Sequence, residues 1–206
     1  DEAWRTKSIP YLRRGDFLAW KPLIDKAVEL NPGEHLGYRG WCRYQFLRDY
    51  AGAIRDLEML DSLKEGDIGY SVNGDYHLNT AKALCYKALG QKTKAVQLIE
   101  NQLATAGYSP GLYDYLHLAV LQLELGEPEK ALATLEKQES ACPGLAENAW
   151  YRALAFRRSG DSVRARQYLA LAREQYEAGH FRSDPYDHPM DRVYLSDIER
   201  EMAKGN

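Results

Sequence analysis

The chain has 206 residues, 45% of them hydrophobic and 28% charged, which is enough apolar material for one elongated domain or two small ones and excludes a disordered tail. The longest uncharged stretch, around residues 104–113, is broken by Gly107, Pro110 and Gly111, so no segment approaches the roughly 20 apolar residues of a membrane helix. A net charge of −3 gives no global attraction to nucleic acid or acidic membrane, and Cys42, Cys85 and Cys142, with no C-x-x-C pair, read as packing residues rather than a disulfide framework or zinc site. The sequence opens at Asp1 with neither Met nor a leader, so the expected compartment is cytoplasmic or, if an upstream signal segment was removed, periplasmic or exported.

In chain order, Trp4 and Tyr11 lie seven residues apart in a first helix that ends at Gly15. Asp16-Phe17 opens a second helix, which carries Ala27 and closes at Asn31-Pro32. Pro22 predicts that this helix kinks or starts there. A second repeat follows at about 34–67, with Tyr38, Trp41 and Tyr44 in its first helix and Asp49-Tyr50 and Ala53-Ile54 in its second; Arg48 stands where the first repeat has its turn glycine. Residues 64–75 (KEGDIGYSVNGD) interrupt the register, and Asn73-Gly74 there favours a tight turn. The insert reads as a surface loop or as a lip over one edge of a binding surface.

The third repeat (76–109), fourth (112–145) and fifth (146–179) each carry a glycine followed five residues later by alanine: Gly90 and Ala95, Gly126 and Ala131, Gly160 and Ala165. In the fourth, Tyr115, Leu118, Ala119 and Leu125 form a helical face, Pro128 suits the first turn of the next helix, and Pro143-Gly144 stops it. Residues 179–189 are rich in turn formers, and 190–204 place Met190, Val193, Tyr194, Ile198 and Met202 on one helical stripe, which predicts a helix capping the last repeat.

This pattern resembles the tetratricopeptide repeat family, a helix-turn-helix module of about 34 residues, over roughly residues 2–179. The resemblance implies an all-α, right-handed α-solenoid of about five helix pairs, followed at 180–206 by a turn-rich linker and a C-terminal capping helix, and a non-catalytic scaffold that binds an extended peptide or a partner helix. It also implies that the first helix of each pair lines a concave face. Ile9, Cys42, Leu84, Val120 and Leu154 then form one column. Arg5, Tyr38, Thr80, Leu116 and Trp150 form the next, and Glu2, His35, His77, Tyr113 and Glu147 the one before it. His35, Tyr38, His77, Tyr113, Leu116, Trp150 and Leu154 are the expected partner-binding residues. The carboxylate clamp of some family members is incomplete: Arg5 and Arg39 are basic, but Ile9, His77 and Ala81 occupy its other places.

Arg152, Arg157, Arg158, Arg164 and Arg166 form a basic cluster, read either as a solvated face or as a patch for an acidic partner, with nucleic acid the weakest reading. His180, Asp184, Asp187, His188 and Asp191 match no known metal spacing, and no phosphate loop, nucleophile elbow or zinc-protease motif occurs, so neither metal nor cofactor is expected. Two rival readings remain beside the scaffold: a metal-dependent or hydrolytic enzyme within the repeat, for which His35, His77 and His117 are the candidate groups, and a structural spacer in a larger assembly.

Overall fold

A computed structural model describes residues 1–184 and 189–204. Among the described residues there are eleven α-helices and no strand. Ten form five successive pairs: α1 (Glu2–Arg13) with α2 (Phe17–Leu30), α3 (Pro32–Cys42) with α4 (Tyr50–Leu63), α5 (Leu78–Ala88) with α6 (Lys92–Ala104), α7 (Asp114–Glu124) with α8 (Pro128–Ala141), and α9 (Ala146–Arg158) with α10 (Ser162–Glu177). The eleventh, α11 (Leu195–Ala203), follows the pairs. The chain divides into two compact units, Asp1–Leu98 and Ile99–Asn206, with the boundary inside α6.

The turns within the pairs share one mechanism. Gly126 N–H donates to the Leu123 carbonyl at 3.0 Å and Glu127 N–H to Gln122 at 2.9 Å, a Schellman closure that uses the last free carbonyls of α7. The same two bonds recur at Gly15, Gly90 and Gly160. Each needs a residue at positive φ, which glycine adopts without strain. Arg48 takes the glycine's place at φ 55, and α3 accommodates it by widening its last turn into a π-helix over Arg43–Leu47. Aspartates then start three of the second helices: Asp16 accepts from Ala19 N–H, Asp49 from Gly52 N–H and Asp161 from Arg164 N–H, at 2.8–3.1 Å.

Two departures from expectation have simple causes. The helix α2 runs through Pro22 instead of starting there; Pro22 and Leu18, whose carbonyl loses its helical donor, both lie on the exposed side of the helix, where the lost bond costs least. The C-terminal helix begins at Leu195 rather than near Met190, because Asp191 adopts φ 66 and Tyr194 forms the N-cap.

The N-terminal unit closes over Trp20, Ile24, Leu36, Trp41, Tyr44 and Leu57. In the C-terminal unit one cluster joins Leu116, Ala119, Ala131 and Leu135, and a second joins Ala149, Trp150, Ala153, Leu169, Val193 and Ile198. Gln138 of α8 crosses to the start of α7, accepting from Leu116 N–H at 2.9 Å and donating to the Leu112 carbonyl at 2.8 Å. A buried side chain thus caps the neighbouring helix, whose Tyr113 N-cap makes no side-chain capping bond.

The turn mechanism is testable at Gly126, where an added Cβ would meet no heavy atom within 4 Å. Gly126→Ala is expected to lower stability by about 1–2 kcal/mol through backbone strain alone, and Gly126→Asn by less, since Asn tolerates the left-handed region. Urea midpoints at constant m-value check this; equal losses for the two variants would mean that strain at φ is not the cause.

Candidate functional site

In the N-terminal unit, Arg5 of α1 and Tyr38 of α3 meet with the guanidinium carbon 5.0 Å from the ring centroid, and Glu2 holds Arg5 at 2.6 Å. Burial keeps the Tyr38 phenol protonated and pushes the neighbouring Cys42 thiol up to about 12, so neither supplies a nucleophile near neutral pH. Beside them opens a pocket of about 210 Å³. Arg5, Glu34 and Tyr38 line it from the first helices, and Lys64, Tyr70 and Val72 from the insert. Its floor is Gly37, where a Cβ would sit 3.0 Å from Leu78 Cδ1 and 3.2 Å from Leu60 Cδ2.

The insert is a built element. Ile68 and Tyr76 are buried, and the Tyr76 ring lies 5.4 Å from Trp41 and 6.3 Å from Tyr44. Residues 69–71 pair with 76–78 through Ser71 N–H to the Tyr76 carbonyl at 2.8 Å and Leu78 N–H to the Gly69 carbonyl at 2.9 Å. Gly74 supplies the positive φ expected of the Asn73-Gly74 turn. His77 caps α5: its Nδ1 accepts from Asn79 N–H at 3.1 Å, so the proton lies on Nε2, which donates to Asp67 Oδ1 at 2.6 Å. Burial raises the Asp67 carboxyl, but Gly69 N–H and His77 outweigh it and hold the group below its ordinary value.

Behind this face lies a charged network. Asp56 of α4, almost fully buried, receives Arg39 Nε at 2.9 Å and Nη2 at 2.6 Å, and Arg43 Nη1 at 3.1 Å. Arg39 Nη1 reaches Asp25 of α2 at 2.8 Å, and Lys21 pairs with Asp25 at 2.5 Å. Three helices are thereby pinned through one guanidinium. Burial would raise Asp25, but Lys21 and Arg39 outweigh it and hold the carboxyl below its ordinary 3.8.

In the C-terminal unit the first helices are covered by the chain's own tail. Glu147, fully buried at the start of α9, accepts the backbone N–H of Arg182 at 3.1 Å and of Val193 at 3.4 Å. Burial is the largest influence on its carboxyl and leaves it above its ordinary value despite those donors. His117 Nδ1 meets Asp191 Oδ2 at 2.7 Å, and the Arg182 guanidinium carbon lies 4.1 Å from the Tyr113 ring centroid. Ile198 and Val193 join the cluster of Trp150, with Leu154 and Met202 packed against it.

The expected partner-binding residues therefore divide. Tyr38 is half-buried and lines the open pocket. His35 and Leu116 are fully buried, and His77 is 1% exposed in its cap. Tyr113, Trp150 and Leu154 pack under the tail. The basic cluster is engaged by the chain itself: Arg152 donates to the Leu135 carbonyl at 3.1 Å, Arg158 to Leu123 at 2.6 Å, Arg157 pairs with Glu201, and Arg164 pairs with Asp161 at 2.5 Å while lying over Phe156. Arg166 is exposed. Of the sequence-matched acid and histidine cluster, Asp187 and His188 lie outside the described residues, and Asp191 faces His117. Among the described residues no three His, Cys, Asp or Glu side chains converge as a metal site, and no helix is long and apolar enough to cross a membrane.

Because Asp25 is held below its ordinary value, its pairing stabilises the fold above that value and is lost as pH falls through the folded-state value. The stability advantage of the parent chain over Asp25→Asn is expected to shrink between about pH 5 and pH 2. Urea midpoints across that range check it, and a pH-independent difference would refute the assignment. For the tail, Glu147→Ala leaves two buried N–H groups without their acceptor, at about 1–3 kcal/mol. Hydrogen exchange at Arg182 and Val193 should accelerate; unchanged exchange would show that the carboxylate does not hold the tail.

No protein-family model matches the sequence, and no curated protein matches it. Solved structures do. MamA superposes with a TM-score of 0.68 over 84% of this chain and 95% of its own, at 20% identity. PilW, described as a widely conserved type IV pilus biogenesis factor, gives 0.70 over 96% of this chain and 81% of its own, at 16% identity. YrrB, described as a TPR protein with an unusual peptide-binding site, gives 0.65 over 84% and 85%, at 14% identity. With helix pairs closed by the repeated glycine turn and a terminal helix over the last pair, the chain has the tetratricopeptide-repeat fold.

Proposed function

We propose that this chain is a non-catalytic protein-interaction scaffold whose partner seats on the N-terminal unit, at the pocket between α1, α3 and the insert. The observation that carries this reading is an asymmetry between the two units. The first helices of the C-terminal unit are covered by Arg182, Asp191, Val193, Ile198 and Met202, whereas α1 and α3 keep an open pocket ringed by Arg5, Tyr38 and Tyr70. Tyr70 is half exposed and Val72 more so, on a segment anchored by the buried Ile68 and Ser71. Aromatic rings on a rigid support give contact area at modest entropic cost. The peptide-binding site named for YrrB is consistent with a scaffold role on this fold.

Catalysis finds less support. Burial holds the Cys42 and Cys85 thiols protonated, His77 is committed to a helix cap, and His117 faces Asp191. Binding by shape and polar contact is the chemistry this arrangement favours.

The test begins with affinity capture by the intact chain, identification of what co-purifies, and titration of the purified partner. Tyr38→Ala and Tyr70→Ala are each expected to weaken binding by about 2 kcal/mol, roughly thirtyfold, with Tyr70→Ala leaving the melting temperature unchanged. Trp150→Ala should instead destabilise the chain by about 3–5 kcal/mol, as a core truncation does. A partner retained by both tyrosine variants and lost when the tail is disturbed would move the site to the C-terminal unit and end this reading.

A further inference from the structure

We propose that the partner binds as an extended strand, its main chain pairing with the outer edge of the insert at Tyr70 and an adjacent acidic side chain meeting Lys64. This deepens the reading above and rests on it, since it presumes that the N-terminal unit holds the partner.

The argument starts from the hairpin's hydrogen bonds. The Ser71–Tyr76 and Leu78–Gly69 bonds flank the antiparallel pair Tyr70–His77, which places that pair in a non-hydrogen-bonded position. The N–H and C=O of a residue in such a position point away from its own partner strand, toward the outer edge. On the His77 side the carbonyl is taken by Ala81 N–H, at 3.1 Å, as α5 begins. On the Tyr70 side nothing takes them: among the described residues neither group has a protein hydrogen-bond partner, and Tyr70 is 50% exposed. An exposed edge N–H and C=O on one residue are the template for strand addition, since one residue of an extended chain supplies the matching C=O and N–H. A helical partner has no such groups to offer, because its main chain is bonded internally.

The pocket next to this edge sets the side chain. At about 210 Å³ it is smaller than the roughly 300–1,000 Å³ of small-molecule sites, and it suits a single side chain. Two cations, Arg5 and Lys64, and one carboxylate, Glu34, line it together with the apolar Leu60, Ile68 and Leu78. Glu2 already pairs with Arg5. Lys64, extended at the end of α4, donates its backbone N–H to Leu60, but among the described residues its ammonium forms no ion pair or hydrogen bond, and its charge lowers the nearby Asp67 carboxyl. A carboxylate gives the Lys64 ammonium an ion pair, and a lining of two cations, Arg5 and Lys64, against one carboxylate, Glu34, favours an acidic side chain over a basic one.

The test selects binders from a library of random dodecapeptides displayed against the intact chain, then measures synthetic versions by fluorescence anisotropy. Enriched peptides should carry Asp or Glu and lose tenfold or more in affinity to Lys64→Glu. Methylation of one peptide-backbone nitrogen at a time should abolish binding at a single position and be tolerated at its two neighbours. Loss at several consecutive positions, the signature of a bound helix, would overturn strand addition, and so would peptides indifferent to Lys64→Glu or the absence of any enriched sequence. Peptides that respond to Tyr38→Ala and Tyr70→Ala but show no position-specific methylation effect would leave the site standing without the strand. Indifference to both tyrosines would remove site and strand together.

Discussion

The N-terminal unit depends on one buried carboxylate. Asp56 accepts hydrogen bonds from two nitrogens of Arg39 and forms an ion pair with Arg43, and Arg39 turns its remaining terminal nitrogen to Asp25. A buried acid without these donors would cost several kcal/mol, so α2, α3 and α4 have one mutual arrangement in which every charge is matched. The consequence for the site is geometric. Arg39 follows Tyr38 on α3, and fixing the guanidinium inward fixes the phase of the helix that sends Tyr38 to the pocket. The same phase puts Gly37 against Leu60 and Leu78, where only a residue without Cβ avoids displacing both.

The C-terminal unit uses a buried carboxylate differently. Asp25 is attracted on balance and sits below its ordinary value, whereas Glu147 is desolvated on balance and sits above it. Glu147 is given backbone N–H groups of the tail, and with them the tail is drawn across α7 and α9. Apolar contact follows: Val193 and Ile198 complete the cluster around Trp150 that an uncapped last pair would leave in water. Covering that face is thus a requirement of stability.

Much of this was legible in the residues. The glycine turns, the aspartate starts of the second helices and the small alanines recur because each meets a backbone constraint, and such constraints are local. Helical phase was legible too, since Tyr38, Trp150 and Leu154 lie on first helices as their spacing implied. What covers each face was not, because it depends on contacts between distant residues: Glu147 with Val193, Asp56 with Arg39, Gln138 with Leu116. The widened turn at Arg48 escaped notice because only the missing glycine marks it. The insert's turn pair was visible, but its anchoring through Tyr76 required knowing that Trp41 and Tyr44 form the surface that ring covers.

The arginines of the last repeat show why counting charge is a poor guide to a surface. Arg158 reaches the Leu123 carbonyl at the end of α7, one of the four carbonyls that a helix C-terminus leaves without an internal donor. There its charge also meets the negative end of the helix dipole. Arg152 bonds a carbonyl of α8 and the Tyr168 hydroxyl, and Arg157 is answered by Glu201 on the capping helix. A planar guanidinium with several fixed donors can bridge such acceptors where an ammonium cannot, which is why arginine rather than lysine fills these places. Charge that is committed to holding α7, α8, α9 and α11 together is not at the disposal of a partner. By the same measure, Lys64 at the pocket is the more informative cation, because among the described residues its ammonium forms no ion pair or hydrogen bond.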